Sequence, residues 1–273
     1  MFAPVLSPGL QAAVLKRLDC SPGTADRELL QRLLAAYVRT VPWESAFRIV
    51  KRAHDDDPQD CARWPAEFWQ DNLQRGAGGT CFESNLAFSA LLHGLGYEGY
   101  LTINDMEESI GCHTAIIVFL DGQKCLVDVG FPVYAVLPLE IQPVTEYVAP
   151  YFRYTVRDLG SDRSQIERRP HPVPYAFTLV DRPVSLDIYR QATIDDYGPE
   201  GHFLQRVIVH KIIDEQMWRF TSDEMPRQLT RFTDGRRFDF PITGDLATAV
   251  AAKFGIDEKT IGHALRLIAA PQS

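Results

Sequence analysis

Residues 112–131, Cys-His-Thr-Ala-Ile-Ile-Val-Phe-Leu-Asp-Gly-Gln-Lys-Cys-Leu-Val-Asp-Val-Gly-Phe, read as two strands around a tight turn, and that reading decides the fold. Thr114 to Leu120 is almost wholly apolar, as a strand buried on both faces must be. Asp121-Gly122 is a strong hairpin signal, and Cys125 to Val129 returns as the partner. With Asp121 and Gly122 as the two turn residues, Leu120 faces Gln123, His113 falls opposite Gly130, and Asp128 falls opposite Ala115. His113 and Asp128 then share a sheet face as diagonal neighbours, about 7–8 Å apart at the backbone and within side-chain reach. A one-residue slip would put them on opposite faces. A carboxylate inside the run Leu126-Val127-Asp128-Val129 needs a partner, and His113 is the natural one.

Upstream, the chain reads as helical. Asp26 is placed to cap a helix whose apolar residues, Leu29, Leu30, Leu33, Leu34 and Tyr37, recur at three and four, with an end before Pro42. The acidic run Asp55-Asp56-Asp57-Pro58 reads as a solvated turn. Gly76-Ala77-Gly78-Gly79 breaks the chain and leads into a second helix, with Phe88, Leu91, Leu92 and Leu95 on one face and Gly94 and Gly96 at its end. Downstream, short β-like runs (Tyr175 to Val180, Val184 to Ile188, Val207 to Ile213) alternate with polar turns. Asp245 to Phe254 and Lys259 to Ala269 close the chain as helices. Helices, then strands, then a helical tail make an α+β protein.

Thr80-Cys81-Phe82-Glu83 has the form of a capping box: Thr80 at the N-cap, Glu83 three residues on. Cys81 would then be the first helical residue, where free N–H groups and the helix dipole favour a thiolate. The preceding glycines allow close backbone approach and could offer N–H groups to an oxyanion. Glu83 opposes thiolate formation, and a cationic histidine in contact would outweigh it. A cysteine at a helix start is by itself more often packing than chemistry. The glycine run lacks a Gly-Lys-Ser/Thr ending and follows a helix where a phosphate loop follows a strand. Cys81, His113 and Asp128 together form a candidate nucleophile, base and orienting carboxylate. His54, His93, His171, His202, His210 and His263 lie in polar or helical contexts and read as surface or structural.

The 273 residues are 45% hydrophobic and 23% charged, with a net charge of −8, which suits a packed protein of two or three domains. No Lys/Arg-rich run stands out, which disfavours a nucleic-acid partner, although an anionic ligand can still be held by local N–H groups and a few cations. The five cysteines are odd in number and include no CxxC pair, so a disulfide framework or a cysteine-type metal site is not expected. The opening Met1-Phe2-Ala3-Pro4-Val5 lacks the features of a signal peptide, and no run approaches the roughly 20 apolar residues of a membrane span. A reduced, cytoplasmic setting without metal or membrane is the expectation.

At these residues the chain resembles the arylamine N-acetyltransferases. Their Arg-Gly-Gly-Tyr-Cys-Phe-Glu segment has its counterpart in Gly78-Gly79-Thr80-Cys81-Phe82-Glu83-Ser84-Asn85, their Thr-His in Cys112-His113, and their Val-Asp-Val-Gly-Phe-Gly in Leu126-Val127-Asp128-Val129-Gly130-Phe131. Val41-Pro42-Trp43-Glu44 is similar to the family's Ile-Pro-Phe-Glu, Leu137-Pro138-Leu139 also has a family look, and Lys253-Phe254-Gly255-Ile256 fits its C-terminal helix. The likeness is good over residues 10–140 and loose beyond.

The resemblance implies an N-terminal helical bundle carrying the nucleophile (residues 1–97), a central antiparallel β-barrel-like domain carrying His and Asp (98–190) and a C-terminal α/β lid (191–273). It also implies ping-pong transfer of an acetyl group from acetyl-CoA through Cys81 to an arylamine or hydrazine. Cys112, Gly130 and Phe131 would then contact the CoA donor, and Trp43 and Phe131 the acceptor. The chain departs from the family at Thr80 (usually Tyr), Cys112 (usually Thr) and Pro132 (usually Gly), positions around the family's cofactor and acceptor pocket, where Pro132 would stiffen the loop beside the cofactor. Arg75 lies six residues before Cys81, whereas the family's arginine sits closer. Three other readings remain open. They are a transglutaminase-like hydrolase or protease with the same Cys, His, Asp order, an idle binding module, and an amide synthase taking a bulky acyl chain from a carrier protein.

Overall fold

A computed structural model describes residues 5–270 apart from 132, 140, 141, 172 and 200, so Pro132 lies outside the described residues. The first half is helical: α1 (Pro8–Arg17), α2 (Arg27–Thr40), then the short strand β1 (Trp43–Glu44), α3 (Ala46–His54), α4 (Pro58–Cys61), α5 (Pro65–Arg75) and α6 (Cys81–Gly94). Local signals account for several ends. Asp26 Oδ1 accepts from Leu29 N at 2.8 Å and starts α2. Asp57 caps α4 with Pro58 at the first helical position, so the acidic turn runs straight into a helix. Gly76, at φ 66°, ends α5 in the left-handed conformation, where an added Cβ would lie 1.9 Å from Gly255 O.

The strands of the middle are β2 (Glu98–Met106), β3 (Ser109–Leu120), β4 (Gln123–Val127), β5 (Leu137–Pro138), β6 (Val144–Val148), β7 (Arg153–Gly160), β8 (Arg163–Arg169) and β9 (Tyr175–Val180). They form one eight-stranded, barrel-like antiparallel sheet in the order β5-β4-β3-β2-β9-β8-β7-β6. The β3–β4 register is the one the turn predicts, from Leu120↔Gln123 to Ile116↔Val127, around Asp121 and Gly122 at positive φ. β3 is buried on both faces. Ile116, Val118 and Leu120 pack into the helical core with Leu86 and Leu91 of α6, whereas Ala115 and Ile117 pack inside the barrel with Ile166 and Phe177.

The chain continues with α7 (Leu186–Asp195), β10 (Ile208–Ile213), β11 (Gln216–Thr221), β12 (Gln228–Thr233), β13 (Arg236–Pro241), α8 (Leu246–Phe254) and α9 (Glu258–Ala269). The strands form a second antiparallel sheet, β1-β10-β11-β12-β13, whose core with α3, α8 and α9 includes Phe47, Val209, Phe220, Phe254 and Ile261. One expectation fails: Val184 to Ile188 is not a strand. Ser185 accepts from Ile188 N at 3.3 Å and starts α7, whose buried Tyr189 and Thr193 stand one turn apart. A five-residue apolar alternation could not separate the two patterns. Among the described residues, no helix is long and apolar enough to cross a membrane.

Candidate active site

The glycine run is held in place by its neighbours. A Cβ on Gly78 would lie 1.6 Å from Pro42 O, so only glycine allows this approach. Trp43 bridges to Gly79, and Glu44 N donates to Gly79 O at 3.3 Å. Glu44 Oε1 accepts from Gly78 N at 3.2 Å, which removes that N–H from any oxyanion role.

Cys81 is the first residue of α6, as expected, but the capping box does not form. Thr80 makes no side-chain cap bond, and its buried hydroxyl has no hydrogen-bond partner. Glu83 turns instead to Arg63: Arg63 Nη2 donates to Glu83 Oε2 at 2.6 Å and Arg63 N to Oε1 at 3.1 Å, with Tyr197 OH on Oε1 at 2.5 Å. Arg63 Nη2 also donates to Gly78 O at 2.6 Å, so one guanidinium ties the glycine run to the helix. Burial would raise the Glu83 carboxyl, and Arg63 and Tyr197 overcome it and hold it below its usual range. A fully buried ion pair is stronger here than a reach back to the Thr80 N–H. It also answers the objection that Glu83 would oppose a thiolate. Arg75 takes no part; it pairs with Asp71 at 2.5 Å, half exposed.

His113, on β3, and Asp128, just past β4, meet as the register predicts, with His113 Nε2 2.8 Å from Asp128 Oδ2 and both buried. Asp128 Oδ1 accepts from Asn85 Nδ2 at 3.1 Å, Gly130 N at 2.8 Å and Phe131 N at 3.0 Å. The carboxylate is thus fixed at both oxygens, and it holds the imidazole so that Nδ1 is left to act on another group. Asn85 and Thr114 lock helix to hairpin. Asn85 Nδ2 donates to Thr114 O at 2.7 Å, Asn85 Oδ1 accepts from Val129 N at 3.0 Å, and Thr114 Oγ1 donates to Cys81 O at 3.0 Å. Tyr189 of α7 closes this layer, donating to Phe82 O at 2.8 Å. Gly130 lies against Cys81, where an added Cβ would meet Cys81 Cα at 2.4 Å.

Cys81 and His113 open onto one cavity of ≈ 1010 Å³ between the barrel-like sheet and the second sheet, at the upper end of the about 300–1,000 Å³ of ordinary ligand pockets. Cys81 Sγ lies 3.6 Å from Cys112 O, the geometry of a thiol donating to that carbonyl. Burial pushes the Cys81 thiol well above its ordinary value, with Asp196 and Asp128 adding to the rise. This runs against the sequence expectation of a lowered value, because desolvation outweighs the helix terminus and the nearby carboxylates add to it. All five cysteines are free thiols.

Trp43, Cys81, Cys112, His113, Gly130 and Phe131 line this cavity, Asp128 stands behind His113, and Thr80, Glu83 and Arg75 are not among its lining residues. Trp43 sits edge-on to Phe203 (ring centroids 5.0 Å apart) and His210 (5.7 Å), the Phe131 ring lies 6.1 Å from His113, and Cys112 and Gly130 complete the rim around Cys81. Three histidines read as surface or structural, His171, His202 and His210, also face the cavity. Sequence reasoning missed Arg63, Tyr189 and Tyr197, whose partners are far away along the chain. Asn85 carried a signal, since it lies in the run Cys81-Phe82-Glu83-Ser84-Asn85 that resembles the family's segment.

A family model described as N-acetyltransferase matches residues 26–260. Proansamycin X synthase of Amycolatopsis mediterranei is 30% identical over 189 residues, covering 62% of this chain and 67% of that protein. The fold is similar to that of the Mycobacterium marinum arylamine N-acetyltransferase solved in complex with CoA (TM-score 0.78, 19% identity, 95% of this chain and 97% of that one). It is equally similar to the Salmonella typhimurium arylamine N-acetyltransferase (TM-score 0.78, 18% identity, 96% and 99%). A Bacillus cereus relative, described as having a Cys-His-Glu catalytic triad, gives a TM-score of 0.72 at 19% identity over 92% and 100%.

Proposed function

Since the chain belongs to the N-acetyltransferase family, we propose that it is a cysteine acyltransferase that carries an acyl group from a CoA thioester, through Cys81, to an arylamine or hydrazine. The observation that carries the reading is the 2.8 Å His113–Asp128 contact beside a helix-start cysteine on one cavity. The Cys81 thiol gives its proton to His113 Nδ1, and the thiolate attacks the donor carbonyl. The tetrahedral adduct expels the CoA thiolate, which takes the proton back from the imidazolium. An amine then attacks the Cys81 thioester and loses a proton to His113, the amide leaves, and the thiol is restored. Burial pushes the Cys81 thiol up, which favours proton transfer coupled to attack. Asp128 stabilises the imidazolium that forms. Trp43 and Phe131 support an aryl ring, and the cavity's basic residues, Arg206, Lys211 and Arg237 among them, suit a phosphate-bearing donor. Five free cysteines suit the reducing cytoplasm.

A second reading, an amide synthase taking a larger acyl chain, draws on the cavity volume and on a relative named as a synthase. The test is release of free CoA from acetyl-CoA, with and without an aryl hydrazine. Slow release alone and fast release with acceptor supports acetyl transfer. Release only from long-chain thioesters favours the synthase. Cleavage of peptides or glutamine amides, with no CoA release, means a hydrolase.

A further inference from the structure

Arg48 lies within α3 and is 1% exposed, so its guanidinium is taken out of water altogether. A cation so placed is tolerated only where fixed acceptors meet its donors. Arg48 Nε donates to His202 O at 3.0 Å, and Nη2 donates to Asp196 O and lies 2.9 Å from Asp196 Oδ2. The guanidinium carbon stands 4.0 Å from the centre of the Tyr197 ring. Asp196 Oδ1 in turn accepts from His202 N at 3.3 Å. One side chain of α3 thus holds Asp196, just past the end of α7, and His202, on the way into β10. An apolar side chain of similar volume would fill the space without the cost of desolvating a charge. What distinguishes arginine here is the fork that reaches two carbonyls and a carboxylate together.

The residues that Arg48 holds lie on both flanks of Cys81. Tyr197 OH donates to Glu83 Oε1 at 2.5 Å, two residues after the cysteine. Phe203, at φ 62°, sets its ring edge-on to Trp43 at 5.0 Å between centroids, and Trp43 bridges to Gly79, two residues before the cysteine. A left-handed backbone at a phenylalanine is costly and persists only where the neighbours enforce it, and Arg48 is bonded to the carbonyl that precedes it. Between these flanks Cys81 is 5% exposed, although the cavity beside it measures ≈ 1010 Å³. We propose that Arg48 is a positioning residue for acyl transfer, fixing Tyr197 and Phe203 on either side of Cys81 and so keeping water from the acyl-enzyme. The thioester at Cys81 has two fates. An amine takes the acyl group as an amide, whereas water adds its oxygen to the acyl carbon, gives up a proton to His113 and, as the C–S bond breaks and that proton passes to the sulfur, yields a free acid and the thiol. The second fate wastes the donor, and excluding water suppresses it.

The proposal deepens the transfer reading and rests on it for the existence of an acyl-enzyme. The test charges the full-length protein with p-nitrophenyl acetate, a small activated ester, removes the excess, and follows the lifetime of acetyl-Cys81 in acceptor-free buffer by intact-protein mass spectrometry. Arg48→Lys keeps a cation for Asp196 but loses the fork, and Phe203→Leu leaves Arg48 untouched while removing the ring it places. Both should shorten the lifetime by about tenfold and leave the rate of acylation within about threefold of wild type. With an aryl hydrazine present, both should also deliver a smaller fraction of the acetyl group to the amine. Should Arg48→Lys fail to fold, Phe203→Leu decides alone. A lifetime that stays at the wild-type value in a folded variant overturns the proposal, whatever the shift in its unfolding midpoint, because Arg48 would then be structural only. A large fall in the acylation rate also overturns it, since Arg48 would then act on the nucleophile itself. If p-nitrophenyl acetate charges Cys81 and acetyl-CoA does not, the donor reading fails while the lifetime still decides this one. If neither charges Cys81, there is no acyl-enzyme to protect and both fail.

Discussion

The two walls of the cavity are built in opposite ways. On the side of α6, β3 and β4, most polar groups are spent on one another, the Thr80 hydroxyl aside: Asp128 holds His113, Asn85 and two backbone N–H groups, and Thr114 and Tyr189 anchor the first turn of α6. On the side of β1, β8 and β11, donors are left over, with Trp43 Nε1, Arg168 Nε and Arg219 Nε buried and unpartnered. On the proposed function the first wall must place a nucleophile and a base to within a fraction of an ångström, and satisfied networks do that. The second must yield to a ligand, and unsatisfied donors are what a ligand can satisfy. Substitutions on the first wall should therefore cost activity or stability, whereas substitutions on the second should cost selectivity and can stabilise the unliganded protein.

The largest expected effect is that of Asp128→Asn. It keeps the shape but loses the charge that fixes and stabilises the imidazole, and single-turnover acyl transfer should fall by about three to four orders of magnitude. A rate within tenfold of wild type would mean that the wall is only scaffolding. Arg63→Ala comes next. It strands Glu83 and loosens Gly78, and denaturant unfolding should show a loss of about 3–5 kcal/mol, the usual consequence of breaking a buried pair.

How much of this was legible in the sequence follows the same division. The hairpin register could be read because a two-residue Asp-Gly turn fixes the pairing, and the register in turn fixed the face shared by His113 and Asp128. The Asp26 cap was legible for the same reason: cause and effect lie within four residues. Arg63–Glu83 was not, because a competing local pattern, the capping box, explained Glu83 equally well and the true partner lies twenty residues away, beyond α5. Tyr189 was lost with the misread start of α7. The second wall was invisible, since Arg168 and Arg219 come to line one cavity only when two separate sheets close on each other.

Smaller effects sharpen the contrast. Arg219→Met removes an unpartnered guanidinium, and the unliganded protein should gain about 1 kcal/mol, read as a higher denaturation midpoint. A loss of that size instead would show that the residue has a partner in solution. Thr80→Val replaces a buried, unpartnered hydroxyl at the N-cap by a methyl group and should change stability by no more than about 0.5 kcal/mol. Asp26→Ala, which deletes a formed cap, should cost about 1 kcal/mol.

The most direct test of the central claim is intact-protein mass spectrometry with peptide mapping after brief exposure to acetyl-CoA, on the wild type and Asp128→Asn side by side. A single acetyl group on the peptide containing Cys81, formed quickly in the wild type, far more slowly in the variant and discharged by an aryl hydrazine, is the predicted result. Acetylation spread over other cysteines or lysines, or Cys81 labelling equally fast in both proteins, would contradict it.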